Sequence, residues 1–243
     1  MIISATNNFK IMQDKLQNKK VLILGSGPSA GEVDWQNIKY DILVTTSFFY
    51  LNHKICLKNP KHVSLSKLVD LENKDLIKHL EKNKTCTISF EPKVENYVNN
   101  VSANENKVIN LIISSHKFYQ NQKFLNFYKK FKNRIFFYRA SGGLEGLAGR
   151  LCWPVLASNP KKIYLCGIDG ISENWKNDPV NYFRSHKGTT DKHYTYKDYK
   201  ESFESFGERI YNESRKLNIE MINLGKGKNY NLLTSISEKY EVI

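Results

Sequence analysis

One segment, Lys19–Trp35 (KKVLILGSGPSAGEVDW), does most to limit what this chain can fold into. It contains a short apolar run, a Gly-Ser-Gly-Pro turn and then the start of a helix. An apolar run that enters a helix through a glycine turn is typical of a strand buried on both faces of a parallel sheet. The segment therefore predicts a parallel β-sheet that is covered by helices on both faces.

Similar runs alternate along the rest of the chain. Apolar or alternating runs predict strands at 41–49, 62–65, 85–90, 110–114, 134–138, 162–166 and 219–224. Helical spacing predicts helices at 68–84, 118–131, 144–158 and 196–217. No repeat and no Pro-rich linker divides the chain. The pattern predicts a single α/β domain over residues 1–243, Rossmann-like, with a doubly wound, mainly parallel sheet and a leader segment at 1–18.

Two of the predicted helices carry apolar faces that we expect to pack on the sheet. Segment 118–131 has aromatic residues at helical spacing, which favours packing on the core over stacking with nucleic-acid bases. Segment 196–217 places five apolar or aromatic residues on one face: Tyr199, Phe203, Phe206, Ile210 and Leu217.

The cysteines and the absence of long apolar runs bear on the compartment. The four cysteines have no CxxC spacing, and we expect reduced, buried thiols rather than a zinc site or disulfides. No apolar run approaches the roughly 18 residues that span a bilayer, and the first residues lack a signal-peptide pattern. The expectation is a cytoplasmic protein.

The formal net charge of +13 suggests an anionic partner, because clustered Lys and Arg attract phosphates and lipid head groups. The basic residues are spread along the chain rather than gathered into one run. Nucleic acid is therefore an unlikely main ligand, and peripheral contact with the inner face of the membrane stays open.

Glycine and hydroxyl residues follow most of the predicted strands. In a doubly wound sheet, ligands bind outside the carboxyl ends of the strands, where the strand order reverses. Small residues there let backbone amides approach a phosphate or ribose closely. These positions, which predict a nucleotide-like ligand, are Gly25–Ser29, Thr45–Ser47, Ser66, Ser141–Gly143 and Gly167–Asp169.

Two common nucleotide motifs fit the chain poorly. Gly25, Gly27 and Ala30 satisfy the G-x-G-x-x-G/A pattern of NAD-binding proteins, but the acid expected at the end of the next strand is missing. That strand ends in hydroxyl residues. No Walker A string occurs, and Gly225–Lys228 (GKGK) is interpreted as a basic surface turn.

Four motifs together resemble a known family. GSGPSAGEVDW, RASGG, IYLCGID and a loop with Tyr182 and SHKGTTD occur in the order found in bacterial sialyltransferases of glycosyltransferase family 42. The order is also similar to the family of the motility-associated factors and the archaeal hydroxymethylpterin pyrophosphokinase. The resemblance covers roughly residues 19–224.

The resemblance to family 42 implies that the CMP of a CMP-activated donor lies at the carboxyl edge of the sheet. The family has asparagine at three contact positions where this chain has Ser26, Thr46 and Ser66. A hydroxyl reaches less far than an amide, so the contacts to CMP differ there. The implied nucleotide-binding residues are Gly25, Ser26, Gly27, Pro28, Ser29, Thr46, Ser66, Ser141, Gly142, Gly167, Ile168 and Asp169.

The same resemblance implies a catalytic base in a flexible active-site loop at 172–198. His186 lies five residues before Asp191, as in the family, and an imidazole can accept the proton of an attacking hydroxyl near neutral pH. His193 is the alternative base. Arg139 and Tyr182 correspond to groups that stabilise the leaving phosphate.

One of the family's leaving-group contacts is replaced in this chain. The family has a tyrosine where this chain has Ile171, and Tyr194 or Tyr196 could take that role. Asp169 is either a contact to the ligand or a helix cap.

The function predicted from the resemblance is a sialyltransferase-like glycosyltransferase. It would transfer sialic acid or a related nonulosonate from a CMP donor to a glycan hydroxyl with inversion, with no obligatory metal. One alternative is a pyrophosphokinase-like transferase that uses ATP and Mg²⁺, with Asp169 near a phosphate-bridged metal. The other is a nucleic-acid-binding module. The acceptor, the linkage and the formation of a homo-oligomer stay open.

Overall fold

The computed structural model describes residues 5–65, 71–90, 122–131, 134–137, 146–170 and 196–225. The strands in these ranges are β1 (Lys20–Leu24), β2 (Ile42–Thr46), β3 (His62–Leu65), β4 (Thr87–Phe90), β5 (Ile135–Phe137), β6 (Lys162–Cys166) and β7 (Glu220–Asn223). The α-helices are α1 (Ala5–Leu16), α2 (Ser29–Glu32), α3 (His53–Leu57), α4 (Lys74–Lys82), α5 (Gln122–Phe131), α6 (Gly146–Ala157) and α7 (Tyr196–Lys216). Short 3₁₀ helices lie at Trp35–Asn37 and Phe49–Leu51.

The strands form one sheet in the order β5-β4-β3-β2-β1-β6-β7, and every neighbouring pair is parallel. The chain winds outwards from β1 to β5 and then returns to add β6 on the other side of β1. The strand order therefore reverses between β1 and β6, where Leu24 lies opposite Cys166. This is the doubly wound, parallel fold class that the sequence predicts.

Two apolar clusters cover the two faces of the sheet. In β1, Leu22 and Leu24 belong to one cluster, while Val21 and Ile23 belong to the other, because successive side chains of a strand point to opposite faces. Helices α4 and α5 pack in the first cluster, and α1, α6 and α7 pack in the second. The continuous apolar run of β1 is thus buried on both sides.

Several side chains test the expectations for the helices. Phe127 and Phe131 of α5 are buried, which confirms core packing for those two aromatic residues. Phe203, Phe206 and Ile210 of α7 are buried as expected. The prediction for Leu217 is wrong: α7 ends at Lys216, and the leucine lies 48% exposed in the turn that follows.

The beginning of the chain and the cysteines add two findings. Residues 5–16, within the predicted leader, form α1, and its Met12 and Leu16 are fully buried in the second cluster. Residues 1–4 lie outside the described part. None of the four cysteines forms a disulfide bond, and all but the half-buried Cys56 are buried.

A buried histidine lies between two strands of the sheet. His62 of β3 places Nδ1 2.8 Å from the Thr87 hydroxyl and Nε2 2.9 Å from the Ser89 hydroxyl, both on β4. Burial, together with a smaller contribution from the charge of Lys15, lowers the pKa of His62 to about 3. The ring is therefore neutral in the folded protein at neutral pH.

This histidine predicts a specific sensitivity to acid. In the unfolded chain His62 has a pKa near 6.5, so between pH 6.5 and about 3 the unfolded state binds the extra proton and the free energy of unfolding falls as the pH falls. In His62→Gln the glutamine can still bond both hydroxyls but does not titrate. Between pH 7 and pH 5 we expect its free energy of unfolding to fall by about 2 kcal/mol less than that of the wild type. Urea unfolding at both pH values measures this difference. Equal losses in the two proteins would contradict the assignment.

Candidate functional site

The loops that follow β1 and β6 touch through their backbones where the strand order reverses. The Gly25 amide donates to the Cys166 carbonyl and the Gly27 amide to the Gly167 carbonyl, each at 2.8 Å. A Cβ on Gly25 would lie 2.2 Å from the Gly167 oxygen, which is far inside van der Waals contact. Gly167 has φ +70°, and a Cβ there would lie 2.3 Å from the Gly25 oxygen. Both glycines are required by this contact between loops.

A buried carboxylate joins the same two loops. Asp169 is 4% exposed, and its Oδ2 accepts a hydrogen bond of 2.8 Å from the Ser29 amide, 140 residues earlier in the chain. The Ser29 hydroxyl in turn accepts a hydrogen bond of 2.9 Å from the Gly167 amide. Gly27 also borders the carboxylate, because a Cβ there would lie 2.4 Å from Oδ2. Asp169 therefore holds the turn after β1 (residues 25–29, the first turn) against the loop after β6 (residues 167–169).

The protonation of Asp169 is controlled mainly by its burial. Burial raises the pKa of its carboxyl group, hydrogen bonds from the Ser29 hydroxyl and amide lower it, and the charge of Glu32 raises it. The net direction is upwards. Within the described part of the chain, no Lys, Arg or His forms an ion pair with Asp169, so the bonds to Ser29 are its main compensation.

The residues after β7 also lie beside Asp169 and Ser29. Gly225 is buried, and a Cβ on it would lie 2.8 Å from the Ser29 hydroxyl and 3.0 Å from Asp169 Oδ1. Its amide donates to the Asn223 side chain at 3.0 Å. The interpretation of Gly225 as part of a surface turn is therefore wrong, and residues 226–228 lie outside the described ranges.

Ser26 is the residue of the turn after β1 whose polar groups bond to no other described residue. The Gly25 amide donates to the last residue of β6, and the amides of Gly27 and Ser29 donate to the loop that follows it. Ser26 is half-exposed, and neither its amide nor its hydroxyl bonds to another described residue. Of the amides in the first turn, the Ser26 amide is the one that can bind a ligand.

Thr46 ends the neighbouring strand β2. The preceding Thr45 uses its hydroxyl within the sheet, donating to the Leu24 carbonyl at 3.1 Å. Thr46 is 5% exposed, and its hydroxyl forms no hydrogen bond with another residue in the described ranges. Ser26 and Thr46 therefore offer hydroxyl groups at the ends of two adjacent strands, where polar groups of a nucleotide could bind.

The geometry differs from what an NAD-binding turn needs. In that motif the second glycine allows the backbone to approach the pyrophosphate. Here the space beside Gly27 is filled by Asp169, so this glycine serves the packing of one loop on another.

Seven of the predicted nucleotide-binding residues meet around Asp169 at the reversal of strand order: Gly25, Ser26, Gly27, Pro28, Ser29, Gly167 and Ile168. Ile168 is 5% exposed and packs in the second apolar cluster. Thr46 lies on the neighbouring strand β2. The other predicted site residues and their sequence neighbours lie outside the described ranges: Ser66, Arg139, Ser141, Gly142, Ile171, Tyr182, His186, Asp191, His193 and Tyr194. Of the predicted active-site loop, the last three residues begin α7.

The described residues contain neither a candidate metal cluster nor a candidate membrane-spanning helix. Among the residues that the structure describes, no three His, Cys, Asp or Glu side chains come together as a metal site. No helix within the described ranges has the length and apolar character needed to cross a bilayer.

Comparison with known proteins gives a likeness of fold. No protein-family model matches the chain, and no curated protein matches it either. Among solved structures, the monofunctional alpha-2,3-sialyltransferase Cst-I from Campylobacter jejuni is similar, with a TM-score of 0.50 and 16% identity over 86% of this chain and 76% of that one. At such identity the likeness shows a shared fold.

Two other solved structures are similar at lower scores. The sialyltransferase CstII from Campylobacter jejuni, in complex with the substrate analogue CMP-3FNeuAc, has 18% identity over 92% of this chain and 90% of that one, with a TM-score of 0.48. The sialyltransferase CST-II in complex with a trisaccharide acceptor and CMP has 19% identity over 85% of this chain and 81% of that one, with a TM-score of 0.45.

Proposed function

We propose that this protein is a sialyltransferase-like glycosyltransferase that uses a CMP-activated sialic acid or related nonulosonate. The observation that carries the proposal is the position of two motifs of the family 42 resemblance. The glycine turn and the Gly-Ile-Asp turn lie side by side at the reversal of strand order, where a doubly wound sheet binds nucleotides. The fold shared with the sialyltransferase Cst-I supports the same conclusion.

In this proposal Ser26 and Thr46 bind the nucleotide of the donor. Both present hydroxyl groups that the rest of the described structure does not use. Gly167–Asp169 lies beside the first of these residues in the structure, and the family 42 resemblance implies that Ser66, Ser141 and Gly142 contribute further contacts. The hydroxyls replace asparagine amides of the family and require a closer approach by the ligand.

The reaction that we propose is a single displacement at the anomeric carbon. The acceptor hydroxyl gives its proton to His186 as its oxygen bonds to that carbon. The bond from the carbon to the phosphate oxygen breaks, and CMP leaves with the electron pair. Arg139, Tyr182 and the loop at Ser141 stabilise the departing phosphate. Attack from the face opposite the phosphate inverts the configuration.

The other functions considered for this sequence receive no support from these observations. The matched structures described above are sialyltransferases, and they lend no weight to the resemblance with the hydroxymethylpterin pyrophosphokinase. Nothing in the described part of the chain points to nucleic acid as the ligand.

Calorimetric binding of CMP, CDP, UDP, GDP, ATP and NAD, each with and without Mg²⁺, tests the proposal. We expect CMP to bind most tightly and equally well without the metal. Ser26→Ala should weaken CMP binding about five- to tenfold, because one hydroxyl contact is lost. Ser158→Ala removes a hydroxyl that bonds to the Pro154 carbonyl and should leave binding unchanged. Preference for ATP with Mg²⁺ would overturn the proposal.

A further inference from the structure

Asp169 is surrounded by the ends of three strands. It accepts from Ser29 after β1, belongs to the loop after β6, and borders Gly225 after β7. Its position would suit a ligand contact in a crevice between these loops. However, it is 4% exposed, and Gly27 and Gly225 cover the two oxygens at distances that leave no room for a Cβ.

We propose that Asp169 is a positioning residue, which acts through Ser29 to hold the first turn in its binding shape and does not touch the ligand. The inference rests on the proposed function for the identity of the ligand. It deepens that function by separating the residues that bind the nucleotide from those that hold them in place.

The hydrogen bonds of the turn show how this positioning works. Three amides of the turn, those of Gly25, Gly27 and Ser29, donate to the end of β6 and the loop that follows it. The intervening Ser26 amide has no hydrogen-bond partner among the described residues, so it is the amide of the turn that is left for a ligand. Without the carboxylate, the last of the three anchors is lost, and Ser26 can turn away from the ligand.

Ser29 links the first turn to the loop after β6 through both its amide and its hydroxyl. Its amide donates to Asp169, and its hydroxyl accepts from the Gly167 amide. The two residues therefore form one network between the loops. Removal of either partner leaves a buried polar group without its bond, which costs more than the bond itself contributes.

The test is CMP binding by calorimetry to folded variants. Asp169→Ala should weaken binding about tenfold or more, since a charge-assisted bond that orients the turn is lost. Asp169→Asn keeps an acceptor for the Ser29 amide and should stay within about threefold of the wild type. Ser29→Ala and Asp169→Ala should not be additive in the double variant, because both act on one network.

A matched control lies at the amino ends of the central strands, at the other end of β1. Asp41 accepts a hydrogen bond of 2.8 Å from the Lys20 amide at the start of β1, the same kind of bond that Asp169 makes near its end. Asp41→Ala should lower the melting temperature without changing the affinity for CMP. If a loss of stability alone weakened CMP binding, Asp41→Ala would weaken it as well.

Each outcome decides a different claim. Additive effects of the Ser29 and Asp169 variants, or equal losses in Asp169→Ala and Asp169→Asn, would mean that Asp169 contacts CMP and would overturn the inference. Failure of the wild type to bind any nucleotide would overturn the proposed function instead. In that case amide hydrogen exchange decides the inference: Gly27 and Gly167 should exchange faster in Asp169→Ala than in Asp41→Ala, and equal rates would refute it.

Discussion

Replacing His186 with alanine is expected to slow sugar transfer by about 100- to 10 000-fold, the contribution typical of a general base. The acceptor hydroxyl would then attack without a group to take its proton. The affinity for CMP should change little, because the proton is transferred at the acceptor and not at the nucleotide. Initial rates and calorimetry on the same preparation measure the two quantities separately.

Two histidine variants serve as comparisons. His193→Ala tests the alternative base, and a larger loss of rate there than in His186→Ala would reassign the role. His53 is exposed at the start of α3, and His53→Ala should leave the rate unchanged. Full activity in His186→Ala would contradict the proposed mechanism.

Replacing Gly25 with alanine is expected to lower the free energy of unfolding by at least about 3 kcal/mol. The new Cβ would lie 2.2 Å from a backbone oxygen, that of Gly167, and no side-chain rotation can relieve such a contact. Strands β1 and β6 would have to separate at the reversal point, where Gly25 and Cys166 continue their hydrogen bonding. Chemical denaturation measures the loss.

The control for this variant lies six residues further along. Gly31 is an exposed residue of the short helix α2, and Gly31→Ala should be neutral or stabilise the protein by about 0.5 kcal/mol. A mild effect of Gly25→Ala, similar to that of Gly31→Ala, would show that the two loops are not in contact.

The fold could be predicted because its signals are local. The apolar runs of β1 and β6, and the glycine turn that follows the first, lie within short stretches of sequence. Because parallel strands with helices between them allow few arrangements, these short stretches were sufficient to predict the fold class. Helix α1 was not predicted, because its polar composition hides the two residues, Met12 and Leu16, that pack on the sheet.

The site could be predicted only in part, because its bonds join distant residues. Nothing local connects Ser29 with Asp169 or Gly225, and the last was interpreted as a surface turn. The partners of His62 are also distant from it in the sequence. A signal for it existed: Thr87 and Ser89 alternate with apolar residues on β4 as His62 does on β3, but the register that brings them together is a property of the sheet.

The decisive measurement is the release of CMP from CMP-sialic acid in EDTA, with and without a glycan acceptor. We expect CMP release without metal, an increase when the acceptor is added, and a sialylated product of inverted configuration. Absence of release under these conditions, together with activity that appears only with ATP and Mg²⁺, would contradict the proposed function.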